Sequence, residues 1–506
     1  VSMVPKGEGG IAKGRATIAL AGAFALAVAH QYLFYGHLFG VSYPIFMLLL
    51  YAYMFHDRRS HWREETGFGW FLFVVVLLLS LTYALFDNPV FQALDLFAIP
   101  SLFFLHLAYS RGAGKADWWD IRLLEDALQH FVARSLRHVP TSFKIMKFMT
   151  TRRRKASGNK TALKVLAGLA LSLPLLFVVV TLLASADGVF EKALSAVPSW
   201  WSRLPVGETF ARLVWIFVAG ILFFCYLWGF VKPGIRKTTV PETEAEDEDS
   251  RTDGLRADPI IMATLLVSVN AVYVLFVVIQ FTYLFGAWQG DLPDGKTYAE
   301  YARSGFLELV AVTLINFALL MFALTTGGGK QAEGRLRRAI SSLLYVLVGC
   351  SGVMLYSAYS RLILYEDVYG YTYIRFLVHA FMIYLAILLI IAAIRIRTDI
   401  IPLAKCYIVV SLAAYVLVNY VGMDRIIAEK NIERYRESGT IDPSYLSELS
   451  LDAVPTLAKF AKREYPSLQP LLENKRDVLS GSGRGWQSFN WARHAAEREL
   501  DRLFDK

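Results

Sequence analysis

Cysteine is scarce in this chain: three residues in 506, and Cys225, Cys350 and Cys406 each fall inside a long apolar run. No CxxC pair occurs, so the sequence encodes neither a disulfide framework nor a thiolate zinc site. No HExxH helix and no GxSxG elbow is present, which removes the common signatures of a zinc protease and of a serine hydrolase. TTGGGKQ at 325–331 resembles a phosphate loop only superficially. It lacks the first glycine at the required spacing and a Ser or Thr after Lys330. His56 and His61 flank Asp57, but no third ligand is identifiable, and a solvated charged loop accounts for them. Neither a metal nor a cofactor is expected.

Charge is the second shortage. Only 19% of residues are Asp, Glu, Lys or Arg, and 55% are hydrophobic, with a mean hydropathy of +0.42. Soluble domains average about 25% charged. The deficit is concentrated in blocks of about 18–25 residues, the length that crosses a hydrocarbon core of roughly 30 Å. The expectation is an all-α, polytopic helical membrane protein with about 11 transmembrane helices, near 16–36, 39–55, 69–86, 90–109, 163–187, 211–231, 258–285, 304–325, 339–359, 373–394 and 404–422. Lys13 and Arg15 precede the first apolar run, and Ala25, Ala27 and Ala29 resemble a cleavage site. The run continues through Phe34, which favours an uncleaved first helix.

The net charge of +9 is distributed by side rather than by patch. Loops on one side of the eleven-span arrangement hold 29 Lys and Arg, and loops on the other hold 5. Basic loops stay in the cytoplasm. The N-terminus is therefore expected to be cytoplasmic and the C-terminus extracytoplasmic. The basic excess points to anionic headgroups and not to nucleic acid.

The organisation follows. Residues 1–109 carry helices one to four and 163–231 helices five and six, while 258–422 carry seven to eleven. Between them lie a cytoplasmic segment, 110–162, and an acidic linker, 232–257, without apolar periodicity. In 117–138, Trp118, Ile121, Leu124, Leu128, Phe131 and Val132 form one apolar helical face. It suits the membrane interface or the protein's own cytoplasmic surface equally. Residues 423–506 read as a small helical module outside the membrane. Asp442–Pro443 is a cap followed by a first-turn proline. LDAVPTLAKFAKREY supplies a second helix. Trp491, Ala495, Leu500 and Phe504 share a helical pattern in the last segment. The bilayer is the expected partner, and a protein could attach through 423–506 or through 117–138.

Ionisable groups at membrane depth cost roughly 2.5–3.5 kcal/mol on insertion scales and mark functional sites. The candidates are Glu308, Arg361, Glu366, Arg375 and His379, with Asp95, Asn270 and Asn316 as secondary ones. Glu366 and Asp367 fall in the expected loop 360–372. Thr297 and Glu300 fit a capping box, so a helix should begin at Thr297 and carry Tyr301, Ser304 and Glu308 on one face. Glu300 is explained by the cap. Glu308 asks for a partner, and Arg361 or Arg375 is the expected one.

Three blocks, YLFGAWQG with TYAEYARSGFLELVAV, SRLILYEDVYGYTYIRF, and NIERYRESGTIDPSYLSELSLDAVPTL, resemble the bacterial membrane family called domain of unknown function 4173. The likeness spans about 258–466, and a related family, 4153, is similar in character. The resemblance implies a polytopic inner-membrane protein and no assigned activity or residue. It places Glu300, Arg303, Glu308, Arg361, Glu366, Arg375, Asn431, Glu433 and Arg434 at the outer ends of the last spans, where they are expected to converge.

Three functions remain open. The first is a transport-related or ligand-binding protein with an outer-facing polar cavity. The second is a signalling or scaffold subunit acting through its C-terminal module. The third is a cell-envelope membrane enzyme, distinguished by two carboxylates, or a carboxylate and a histidine, converging within a pocket open to lipid.

Overall fold

A computed structural model of the chain describes residues 8–56, 66–111, 117–156, 206–231, 258–288, 306–325, 334–398, 401–480 and 485–504. Among them there is no strand. The helices are α1 (Glu8–Phe34), α2 (Ser42–Phe55), α3 (Gly67–Leu85), α4 (Pro89–Ser110), α5 (Arg122–Gln129), α6 (Val139–Ala156), α7 (Val206–Val231), α8 (Pro259–Trp288), α9 (Phe306–Thr325), α10 (Gly334–Tyr369), α11 (Tyr373–Arg397) and α12 (Leu403–Tyr420). Five shorter ones follow: α13 (Met423–Ser438), α14 (Pro443–Glu448), α15 (Val454–Arg463), α16 (Gln469–Ser480) and α17 (Trp491–Phe504).

Eight of the described helices are long and apolar enough to cross a membrane, and α2 and the 308–324 part of α9 are shorter apolar helices. The expected span 163–187, the linker 232–257 and the helix start at Thr297 lie outside the described residues. The chain divides into two compact units, 1–84 with 98–235 and 484–489, and 85–97 with 236–483 and 490–506.

In the first unit small residues let helices approach closely. A Cβ on Gly220 of α7 would lie 2.8 Å from the Phe24 ring of α1. The Tyr53 hydroxyl donates to the Ala19 carbonyl at 3.0 Å, tying α2 to α1. The amphipathic segment forms α5 and a π-turn at His130–Arg134, and α6 follows it. Leu123, Ala127 and His130 are buried, and His130 stacks on Phe230 at 3.6 Å while donating from Nε2 to the Tyr226 carbonyl. Burial pushes the His130 imidazole down to about 4, so it is neutral near pH 7. The opposite face, Ile121, Leu124, Leu128, Phe131 and Val132, is exposed.

The second unit has two hydrophobic clusters. One joins α8 to α11 through Met262, Leu266, Leu320, Leu347, Met354 and Leu385. The other fills the C-terminal helices and includes Phe91. Tyr371, Tyr373, Phe376, Leu377 and Val418 pack against it, so its core continues into the ends of α11 and α12. Asp442 caps α14 as its sequence requires, accepting from the Tyr445 amide at 3.0 Å. In α17 the buried positions are Ala492, Ala496 and Leu500, while Trp491 is exposed. The packed face is thus offset from the expected one. Alanine, with no side chain beyond Cβ, permits the close approach that Trp491 would block.

α10 is 36 residues long, against the 339–359 expected for its span. Its buried stripe, Leu347, Ser351, Leu355, Ala358, Leu362 and Glu366, continues through the expected loop without a breaker. Gly370 (φ +79°) ends it, its amide donating to the Glu366 carbonyl at 2.7 Å. Glu366 and Asp367 therefore stand in the last turn of a helix and not in a loop.

Candidate functional site

Where α10 turns into α11, the expected polar residues divide into those that meet and those that do not. Glu366 is 1% exposed, because its place on the buried stripe of α10 points it at α11. Oε2 of Glu366 lies 2.8 Å from Nε2 of His379, two turns into that helix. The His379 ring meets Tyr359 edge-on, with centroids 4.8 Å apart. Tyr359 and Glu366 are seven residues apart, two turns of one helix face, which is why one imidazole reaches both. Oε1 of Glu366 and Nδ1 of His379 are both buried, with no hydrogen-bond partner among the described residues.

The turn that follows Glu366 is held by several side chains. The Arg375 guanidinium sits over the Tyr365 ring, 4.4 Å from its centroid, and donates to the Gly370 carbonyl. Asn431 of α13 clamps the turn from the other side. Its Oδ1 accepts from the Tyr371 amide at 3.0 Å, and its Nδ2 donates to the Tyr371 carbonyl at 2.9 Å. Arg434, one turn on, donates to the carbonyls of Asp367 and Val368 and so covers the C-terminal dipole of α10. The Tyr445 hydroxyl accepts from the Tyr373 amide at 3.0 Å. The C-terminal helices thus hold the turn that carries Glu366.

Among the described residues the other candidates do not join this pair. Arg361 is half-buried and lies about 140° around α10 from Glu366, at 100° per residue. Glu433 is exposed and pairs with Lys430 at 2.7 Å. Glu308, in the first turn of α9, is exposed and has no ion-pair or hydrogen-bond partner among the described residues. The expected Arg375 partnership is replaced by the Gly370 carbonyl and the Tyr365 ring. Glu300 and Arg303 lie outside the described residues. Asn270 donates to the Leu343 carbonyl at 2.8 Å, Asn316 to the Ser351 hydroxyl at 3.0 Å, and Asp95 accepts from the Tyr415 hydroxyl at 2.7 Å. These are bonds between neighbouring helices, a common way to satisfy polar groups at membrane depth.

A second polar cluster went unread in the sequence. Asp424 accepts from Nδ2 of Asn88 at 2.6 Å and from the Ser450 amide at 3.2 Å. Asp452 accepts from the Asp87 amide at 2.9 Å and the Ser450 hydroxyl at 3.1 Å. Arg493 donates to Asp87 at 2.7 Å, and Lys475 donates to the Leu449 carbonyl. Burial raises both Asp424 and Asp452, the latter to about 6, and lowers Lys475. These bonds join segments far apart in the chain, which marks a structural latch. The separation of its members by hundreds of residues hides it from local pattern reading.

No group of three or more His, Cys, Asp or Glu able to hold a metal occurs among the described residues. Glu366 and His379 supply two ligands at most, short of the set a transition metal takes. Beside them, α10 and α11 form a groove of about 350 Å³ lined by Val348, Leu355, Tyr356, Tyr359, Ile383 and Ala386 among others.

The family model described as Domain of unknown function (DUF4153) matches residues 73–460. That span covers most of the chain and reaches well into its N-terminal half. The 4173 family suggested by the three blocks gives way to its relative. No curated protein and no solved structure matches the chain.

Proposed function

Because this chain belongs to the DUF4153 family, a family without an assigned activity, its role rests on its own residues, and we propose that it is a multi-pass membrane protein that recognises a ligand at the Glu366–His379 end of α10 and α11, in a transport-related or ligand-binding capacity. The observation that carries this reading is a 1% exposed carboxylate with one oxygen engaged and one not. Leaving a buried charged acceptor unmatched costs free energy and is retained where function requires it. The excess of Lys and Arg on alternate loops supports an extracytoplasmic position for this end, in a bacterial inner membrane, with the N-terminus cytoplasmic.

The test uses Glu366→Gln and His379→Ala in the full chain, scored by the phenotype of a deletion strain, with membrane abundance measured alongside. Loss of complementation at normal abundance supports the reading. Full complementation by both variants would overturn it.

A second reading, a membrane enzyme of the cell envelope, is favoured by one observation: a carboxylate and a histidine converge beside an apolar groove. A carboxylate on Nε2 fixes the imidazole tautomer and leaves Nδ1 as the basic nitrogen, the arrangement used in general-base catalysis. It predicts covalent turnover of a lipid-carried substrate, lost with His379→Ala. The scaffold reading is weaker. Residues 423–506 share their core with Tyr371, Tyr373 and Phe376, which supports a role as part of the membrane body. The exposed apolar face of α5 supports a helix lying in the membrane interface, with a protein partner as the alternative.

A further inference from the structure

The groove between α10 and α11 and the Glu366–His379 pair share one residue. Tyr359 lines the groove and also sets its ring against His379. The groove runs away from the pair, from Tyr359 back to Val348 on α10 and from Met382 to Ala393 on α11. Eleven residues of helix give it a length of about 16 Å. Its walls are hydrophobic side chains, and Tyr356, Ile383 and Ile390 are more than half exposed along it, so it opens sideways on the surface of the two helices. A volume of about 350 Å³ falls in the range of small-molecule sites, which are mostly apolar with a few converging polar groups.

The polar end selects by hydrogen-bond role. With Glu366 Oε2 as its partner, His379 donates from Nε2–H. Glu366 Oε1 is then an acceptor, unengaged among the described residues. A ligand that satisfies it must bring a donor. A carboxylate or phosphate oxygen pointed at it would set lone pair against lone pair.

We infer that the α10–α11 groove binds the single apolar chain of an amphiphile whose polar end, an ammonium or hydroxyl group, donates a hydrogen bond to Glu366 Oε1. This rests on the ligand-recognition reading of the same pair and adds the class of ligand. Tyr359, which lines the groove and meets the His379 ring, is the residue that joins the two. Either a headgroup of a membrane lipid or a free long-chain amine or alcohol would supply this chemistry.

The experiment uses the full chain in nanodiscs, with retained adducts read by native mass spectrometry after addition of dodecylammonium, dodecanol, dodecanoate or lauroyl lysophosphatidylethanolamine. Dodecylammonium and dodecanol should be retained about tenfold more than dodecanoate. Retention of the lysolipid to the same degree identifies a membrane lipid as the source, and its exclusion identifies a free amphiphile. Ala386→Trp, which fills the groove at a half-buried position, should abolish retention of all the probes. Glu366→Gln should remove the preference for ammonium while leaving the chain bound. Equal retention of dodecanoate, or retention unaffected by Ala386→Trp, would overturn the inference. In the deletion strain, normal complementation by Ala386→Trp with none by Glu366→Gln would sink the groove inference and spare the site. Normal complementation by Glu366→Gln and His379→Ala, with Ala386→Trp still blocking retention, would sink the site's functional reading alone.

Discussion

Asn88 and Asp424 are 336 residues apart in sequence and joined by a 2.6 Å hydrogen bond in a buried setting. Asn88 works in two directions. Its Nδ2 serves Asp424, and its Oδ1 caps α4 by accepting from the amides of Val90 and Phe91 at 3.0 and 3.1 Å. Asn88→Ala removes the cap, worth about 1 kcal/mol. It also leaves a buried carboxylate short of a donor, worth roughly 1–3 kcal/mol. Thermal unfolding of the detergent-solubilised chain should show a clear drop in Tm for Asn88→Ala. Asn88→Asp should keep the cap and be worse, because two buried carboxylates would then face each other. A Tm unchanged in both would mean the latch contributes nothing.

Asp452 predicts a pH dependence with a definite sign. Burial, followed by the nearby charges of Asp424 and Asp87, raises its carboxyl to about 6 against the opposing bonds from Asp87 and Ser450. An unfolded aspartate titrates near about 3.9. The folded state therefore holds the proton more tightly. The stabilisation is fully present below about pH 4 and is lost as pH rises through about 6. Raising pH from 4 to 6.5 should lower Tm more steeply in the wild type than in Asp452→Asn. Asp424 is raised in the same direction, so part of the slope should persist in that variant. An identical slope in both proteins would refute the assignment to Asp452.

Two left-handed glycines make an internal comparison. Gly370 has φ +79°, and a Cβ there would lie 2.6 Å from Asn431 Oδ1. Gly439 has φ +68° and nothing within 4 Å. Ala at either position carries the left-handed backbone cost of about 1–2 kcal/mol. Only Gly370→Ala must also displace the Asn431 clamp. It should lower Tm more than Gly439→Ala and should reduce complementation as well. Equal Tm losses would show that the Asn431 contact yields freely.

Asn431→Ala tests whether the clamp positions Glu366 or only stabilises the turn. It removes both bonds to the Tyr371 backbone and leaves that part-buried amide and carbonyl without them, a cost of about 1–3 kcal/mol. A positioning role predicts that complementation falls further than membrane abundance. A merely structural role predicts that the two fall together.

The membrane architecture was legible because charge-free runs of the right length have almost no other explanation in water or lipid. The end of α10 was not. A run such as SRLILYEDVYGY carries enough polarity to read as a loop, yet Leu362 and Glu366 continue a buried stripe, and Gly370 is the first real stop. Glu366 and His379 were named as intramembrane candidates, but their pairing depends on the α10–α11 register, which is set by side-chain packing. Glu308 shows the reverse error. Its spacing on a helix invited an arginine, whereas Arg375 is held by the Gly370 carbonyl in the turn and by the Tyr365 ring of α10. The Asp424–Asp452 latch left no local trace, since Asn88, Asp87 and Arg493 come from opposite ends of the chain.

α10 is one unbroken rod of 36 residues, about 54 Å at 1.5 Å per residue. Arg335, Arg337 and Arg338 stand at its start, and Glu366 in its last turn. No proline interrupts it between those ends. A one-turn error in the length of this helix would carry the carboxylate about 5 Å from His379, so the pairing at its last turn depends on the register of the whole helix.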